Sequence, residues 1–138
     1  MNLVGFSIRT DLFNIRFEYY MDVAPKTCEA FATCLPLAII FYHARVSGQE
    51  IWTENSPKLD VPQENSSVFA KPGEMAIGPI HPSRNKVAGL MGIFYGDGKL
   101  VDGSNIFAKA IDEDLPSLKA LGETIWKQGA MEIKFEQS

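Results

Sequence analysis

The chain has 138 residues, a length typical of one folded domain, and 46% of them are hydrophobic. Its 13 basic and 17 acidic residues give a net charge of -4, which disfavours nucleic acid and anionic lipid as partners because no basic run offsets it. The longest apolar stretch, residues 35–42, is too short to span a bilayer, and the N-terminus lacks the features of a secretion signal. We therefore expect a single cytoplasmic domain, 1–138, that binds neither nucleic acid nor membrane.

The first part of the chain predicts a β-hairpin followed by a helix. Hydrophobic and polar residues alternate over residues 4–9 and again over residues 13–18, with a turn signal between them. Pro25 suits the first turn of a helix, and apolar residues then recur with helical spacing up to Leu35. Pro36 is expected to end this helix.

The middle of the chain predicts strands separated by a long loop. Residues 39–46 and 50–53 are β-branched and aromatic, which favours two strands or one bent strand. Residues 54–71 are polar and rich in turn-forming residues, so we expect a surface loop there. Short strands are expected at residues 74–78 and 90–95, each punctuated by glycine.

The last third of the chain predicts a turn region, a strand, a helix and a final strand. Residues 97–98 and 102–103 are Asp-Gly turn signals, and residues 105–111 follow them with a strand pattern. Regularly spaced leucines then predict a helix that ends at Gly122. Residues 131–136 alternate regularly and predict the last strand.

The predicted elements do not alternate regularly between strand and helix, which argues against a doubly wound α/β fold. Many short antiparallel strands in a chain of this size close most easily into a barrel or a sandwich, with helices over the open ends. We favour a mainly β fold, a closed antiparallel barrel of about seven or eight strands capped by two short helices.

Two segments carry a resemblance to a known family. Residues 24–31, Ala-Pro-Lys-Thr-Cys-Glu-Ala-Phe, resemble the helix opening of cyclophilins, and residues 101–109 resemble a later segment of that family. A closer resemblance is to small bacterial cyclophilin-like domains of unknown function. It is carried by His-Ala-Arg-Val-Ser-Gly at residues 43–48 and Pro-Gly-Glu at residues 72–74. These resemblances imply a cyclophilin-like β-barrel.

The resemblance does not extend to the catalytic residues of cyclophilins. These enzymes rotate X-Pro bonds with an arginine that hydrogen-bonds the proline carbonyl beside an apolar pocket. In a gapless alignment through Gly48, Ala44 takes the place of that arginine and Arg45 follows one residue later, which on a strand is the opposite face. Asn105 stands where the family has histidine. The resemblance therefore implies the fold without competent isomerase chemistry.

We expect the barrel to bind a small molecule or a peptide without a cofactor. The pocket candidates are aromatic or polar residues on or beside predicted strands: His43, Arg45, Trp52, Phe94, Tyr95, Asn105 and Phe107. Arg45 would bind a carboxylate or carbonyl, and the aromatic residues would form an apolar wall. Two alternatives stay open. One is a weak peptidyl-prolyl isomerase that uses a displaced Arg45, and the other is a self-assembling homo-oligomer with an apolar contact at residues 68–70.

No metal or other catalytic motif is recognisable in the sequence. His43 and His81 are the only histidines, and no spacing with Glu50, Glu74 or Asp97 supports a divalent metal site. The common nucleophile, phosphate-binding and metalloprotease motifs are also missing. We therefore expect no bound metal.

Overall fold

The computed structural model describes residues 3–80 and 86–138, and it opens with the predicted hairpin. Strand β1 (Gly5–Arg9) pairs antiparallel with β2 (Asn14–Tyr19), and Ile8 lies opposite Ile15. Every second side chain of β2 is buried, because successive side chains of a strand point to opposite faces. The hairpin prediction is confirmed.

The first helix, α1 (Pro25–Ala32), begins at the predicted proline and buries Cys28 and Phe31. It ends before Pro36, so its predicted length was wrong. The backbone N–H groups of Cys34 and Leu35 bond to carbonyls three residues earlier, and this tighter geometry ends the α-helix.

The second helix, α2 (Leu115–Gln128), follows a short 3-10 turn at Asp112–Asp114. It continues through Gly122, which was expected to end it. Gly122 instead makes room for a neighbouring ring, since a Cβ there would overlap the side chain of Tyr95. The helix ends before Gly129, whose φ of 96° lies in the region that favours glycine.

Six further strands complete the sheet. They are β3 (Leu37–His43), β4 (Gly48–Thr53), β5 (Ser66–Ala70), β6 (Glu74–Ile77), β7 (Met91–Ala110) and β8 (Met131–Gln137). The strand order is β2-β1-β8-β3-β4-β7-β5, and an additional pairing of β2 with β7 closes the ring. Every pairing is antiparallel. Within the described residues the fold is therefore an eight-stranded antiparallel barrel with two helices, and the fold prediction is confirmed.

Strand β7 replaces two predicted strands and the turn region between them. It bends back on itself so that both of its halves flank β6, and Met75 pairs with both Ile93 and Ala108. Glycines permit the bend, because a Cβ at Gly96 or Gly98 would overlap neighbouring side chains. The Asp-Gly pairs therefore lie within one bent strand rather than in loops.

The prediction of a surface loop at residues 54–71 is wrong in part. Strand β5 lies within it and pairs with the bent part of β7, a partner far away in sequence. Leu59 and Val61 are buried, and the Ser56 hydroxyl donates a 2.6 Å hydrogen bond to the carbonyl of Gly89. On β5, Phe69 is 64% exposed, and a role for it in self-assembly stays a prediction.

The main core fills the barrel and is rich in aromatic rings. Phe31 packs from α1 into the barrel, with its ring centroid 4.9 Å from that of Phe107 and 5.2 Å from that of Phe6. A second, smaller cluster contains Phe94, Ala70, Ala76 and Ile106. Neither helix in the described part of the chain is long and apolar enough to cross a membrane.

Candidate functional site

A cavity of about 970 Å³ lies where β3, β4, β7 and α2 meet. This volume is at the upper end of the range that is common for small-molecule sites. Aromatic side chains contribute to its wall, namely those of Tyr42, Trp52 and Trp126. Its aliphatic lining includes Val87, Leu90, Met91, Leu100, Val101 and Ile125.

The cavity lies on the outer face of the barrel wall. Glu50 and Trp52 are two residues apart on β4 and point to the same face, whereas Ile51 between them is fully buried in the barrel core. Trp52 pairs with Tyr42 across β3 and β4, and their ring centroids are 6.2 Å apart. The alternation of β4 thus supplies the core with one face and the cavity with the other.

Glu50 is a buried acid in this cavity, with only 5% of its surface exposed. The Ser47 hydroxyl donates a hydrogen bond to its Oε1. Its Oε2 lies beside Gly92, where a Cβ would overlap it. Burial raises the pKa of Glu50 to about 7, and the bond from Ser47 opposes this shift only in part. The side chain therefore changes its protonation near neutral pH.

The Oε2 atom of Glu50 has no hydrogen-bond donor among the residues that the structure describes. Among the described residues that line the cavity, a second formal charge is that of Arg45, which is exposed. Arg45 forms no ion pair with Glu50 within residues 3–80 and 86–138. The arrangement thus offers one buried acid with a free oxygen among apolar and aromatic walls.

His43 is held in place by hydrogen bonds on both sides of its ring. Its Nδ1 lies 2.7 Å from the carbonyl oxygen of Ala44, and its Nε2 lies 2.6 Å from the hydroxyl of Tyr95. A carbonyl only accepts, so Nδ1 carries a proton and Nε2 of the neutral ring accepts from Tyr95. The ring also meets Trp126 edge to face at 4.7 Å. His43 therefore orients part of the wall, with both nitrogens already used.

The structure brings three of the seven predicted pocket residues to the cavity, namely His43, Arg45 and Trp52. Tyr95 lies behind His43 and packs against Gly122 of α2. Phe94 lies in the small cluster with Ala76, which itself lines the cavity.

The other two predicted pocket residues lie away from the cavity. Phe107 is part of the barrel core. Asn105 is fully buried, and its Nδ2 donates 3.0 Å hydrogen bonds to the Thr27 hydroxyl and the Pro62 carbonyl. Its Oδ1 accepts from the backbone N–H of Glu64. This cluster joins β7, α1 and the loop before β5.

Sequence reasoning missed Glu50 and Ser47 as pocket residues. An acid in an alternating strand is normally exposed, so nothing local marked Glu50 as buried. Its position two residues before Trp52 was the available signal, since both must share a face.

His81 lies outside the described residues, and the described residues contain no group of three potential metal-ligating side chains.

The chain belongs to the DUF3830 family, described as "Protein of unknown function (DUF3830)", whose model matches residues 6–137. No curated protein matches the chain significantly in sequence.

Solved structures show the same fold at low sequence identity. McbB, solved in complex with tryptophan, superposes with a TM-score of 0.76 at 16% identity over 96% of this chain and 44% of McbB. This chain therefore spans less than half of McbB. The hypothetical protein AF2241 from Archaeoglobus fulgidus gives 0.65 at 20% identity over 99% of this chain and 95% of AF2241.

A Cryptosporidium parvum cyclophilin-type peptidyl-prolyl cis-trans isomerase gives a TM-score of 0.56 at 19% identity, covering 86% of this chain and 85% of the isomerase. The fold of this chain is therefore cyclophilin-like, as the resemblance of residues 24–31 implied. At these identities the similarity defines the fold and carries no activity across.

Proposed function

We propose that the protein binds a small organic molecule in the cavity between β3, β4, β7 and α2. The observation that carries this proposal is the buried carboxyl of Glu50, which opens onto a cavity of about 970 Å³. Burying an acid without a full set of partners costs free energy, and binding sites are where such groups recur. An apolar cavity with few polar groups is also the usual form of a small-molecule site.

The wall composition favours a ligand with a flat apolar body. Trp52 and Trp126 provide large aromatic surfaces, and Trp126 is 64% exposed despite its edge-to-face contact with His43. McbB, which has the same fold, was solved with tryptophan bound. That complex supports aromatic small molecules as the first ligand class to test here.

A ligand screen tests the proposal. We would screen a mixed library of small metabolites by thermal shift and confirm hits by isothermal titration calorimetry. Because Trp52 forms part of the wall, Trp52→Ala should weaken binding by about tenfold or more. Glu132→Gln, a change at an exposed position on β8 that does not line the cavity, should leave it unchanged. Circular dichroism would verify that both variants are folded.

The proposal would be wrong if no library member bound, or if confirmed hits bound Trp52→Ala and Arg45→Ala as well as the parent protein. Hits that also failed to protect the fluorescence of Trp52 and Trp126 from quenching would place their site elsewhere on the molecule. Either result removes the cavity as the functional site.

Weak prolyl isomerase activity is a second candidate because Arg45 does lie at the cavity. Catalysis of this kind needs an arginine held rigidly against the proline carbonyl. Arg45 is exposed and has no hydrogen-bond or ion-pair partner among the described residues. We therefore expect no acceleration of a proline-peptide isomerisation assay even at high protein concentration. Acceleration that disappears in Arg45→Ala would instead support the isomerase.

A further inference from the structure

The chemistry around Glu50 narrows the class of ligand, provided that the cavity is the binding site proposed above. Within the described residues, Oε1 receives a hydrogen bond from Ser47 and Oε2 receives none. A carboxylate in an apolar site is stabilised most by a donor that also carries positive charge. When Glu50 is ionised, the free oxygen therefore favours a ligand that brings a charged N–H group.

Within residues 3–80 and 86–138, no group around Glu50 matches its charge. From β7 the acid meets Gly92, and the apolar Met91 also lines the cavity; from α2 the cavity receives Ile125 and Trp126. At the end of β3, His43 has both nitrogens engaged. In the described part of the chain, Arg45 is the cation that lines the cavity, and it forms no ion pair with Glu50.

The aromatic walls also suit a cation attached to an apolar body. Tryptophan rings attract ammonium groups through their faces and stack with flat ring systems. Trp52 lies on the same strand face as Glu50, and Trp126 lines the cavity from α2. The net charge of -4 further favours the approach of a cation over that of an anion.

We propose that the cavity binds an arylalkylamine, a molecule whose protonated amino group is carried on an alkyl chain and pairs with the Glu50 carboxylate, and whose rings lie against the tryptophan walls. A carboxylate ligand would be repelled by the free oxygen of the ionised acid, and a neutral ring would leave that oxygen unsatisfied. Amine binding favours the ionised form of Glu50, so the complex should release a proton when it forms near or below neutral pH.

Matched probes test this proposal. The set is benzylamine, naphthylethylamine and tryptamine, each compared with a neutral analogue and a carboxylate analogue of the same ring system by calorimetry. At about pH 8, where Glu50 is largely ionised, at least one amine should bind about tenfold more tightly than its neutral partner. Glu50→Gln should remove that preference while leaving the neutral analogue unaffected.

Proton release distinguishes ion pairing from a merely structural role for Glu50. Titrations at about pH 6.5 in buffers of different ionisation enthalpy should show protons released on binding to the parent protein and none with Glu50→Gln. Arg45→Ala should retain the release, because Arg45 is not its source.

Two outcomes would overturn the amine proposal. One is equal or tighter binding of the neutral or carboxylate analogues, which would leave the cavity as a binding site with another ligand class. The other is no binding by any amine of the set. The broader library screen then decides separately whether the cavity binds small molecules at all.

Discussion

At the scale of single residues, the burial of Glu50 lowers the stability of the fold and places an acid in the cavity. Its charged side chain would have a lower free energy in water, but the alternation of β4 places it on the cavity face beside Gly92. The raised pKa measures that cost, because burial disfavours the charged form. Residues that lower stability in a cavity in this way are frequently the functional ones.

The pKa of Glu50 predicts how stability varies with pH. Its folded-state value of about 7 lies above the ordinary value of 4.5, so the native state holds the proton more tightly than the unfolded chain. The contribution of Glu50 is thus most favourable below about pH 4.5 and is lost as pH rises to about 7, amounting to about 3 kcal/mol at most. Glu50→Gln should therefore unfold at higher urea concentration than the parent protein at about pH 8.

The same comparison at about pH 4.5 should show little difference, since the neutral acid and the amide are then similar. Glu132→Gln, at an exposed position on β8, serves as the control and should give no such pH-dependent gain. A Glu50→Gln effect of equal size at both pH values would contradict the interpretation of Glu50 as a buried titrating group.

At the scale of elements, the start of α1 depends on a residue far away in sequence. The residue before the helix is Ala24, which provides no side-chain cap. Glu64 substitutes for one: its Oε1 accepts 2.7 Å hydrogen bonds from the backbone N–H and the hydroxyl of Thr27, and its Oε2 accepts from the N–H of Lys26 at 3.2 Å. A carboxylate also suits the positive end of a helix.

Glu64→Ala should lower the free energy of unfolding by about 1 to 2 kcal/mol, the usual effect of losing a helix cap. Chemical denaturation would measure it. Glu29→Ala, on the exposed face of α1, removes the same charge without a capping bond and should have a smaller effect. Equal losses in the two variants would mean that net charge, rather than capping, is responsible.

Elements defined by local pattern were predictable from the sequence, and those defined by distant partners were not. The first hairpin and the strand at residues 131–136 need only alternation. Strand β5 was missed because the strand that pairs with it, β7, is distant in sequence. The end of α2 was predicted too early, because glycine at position 122 makes room for the ring of Tyr95 and does not end the helix.

At the scale of the whole molecule, one bent strand connects the barrel to the cavity. β7 pairs with β2, β4, β5 and β6, and it supplies Met91 and Gly92 to one part of the cavity lining and Leu100 and Val101 to another. The sequence predicted the class of fold and three of the cavity residues. It did not predict the cavity itself, which requires the bend in β7 and the packing of α2 over β3 and β4.

The contact between Gly92 and Glu50 constrains which residues homologues can carry at these two positions. The Glu50 carboxyl occupies the space that a side chain at position 92 would need, so any residue other than glycine there would force the carboxyl to move. A homologue that keeps the acid in this orientation should keep glycine beside it, and one that acquires alanine there should turn the acid away or lose it. A single codon change at position 92 is therefore a route by which a lineage could displace the acid while retaining the barrel.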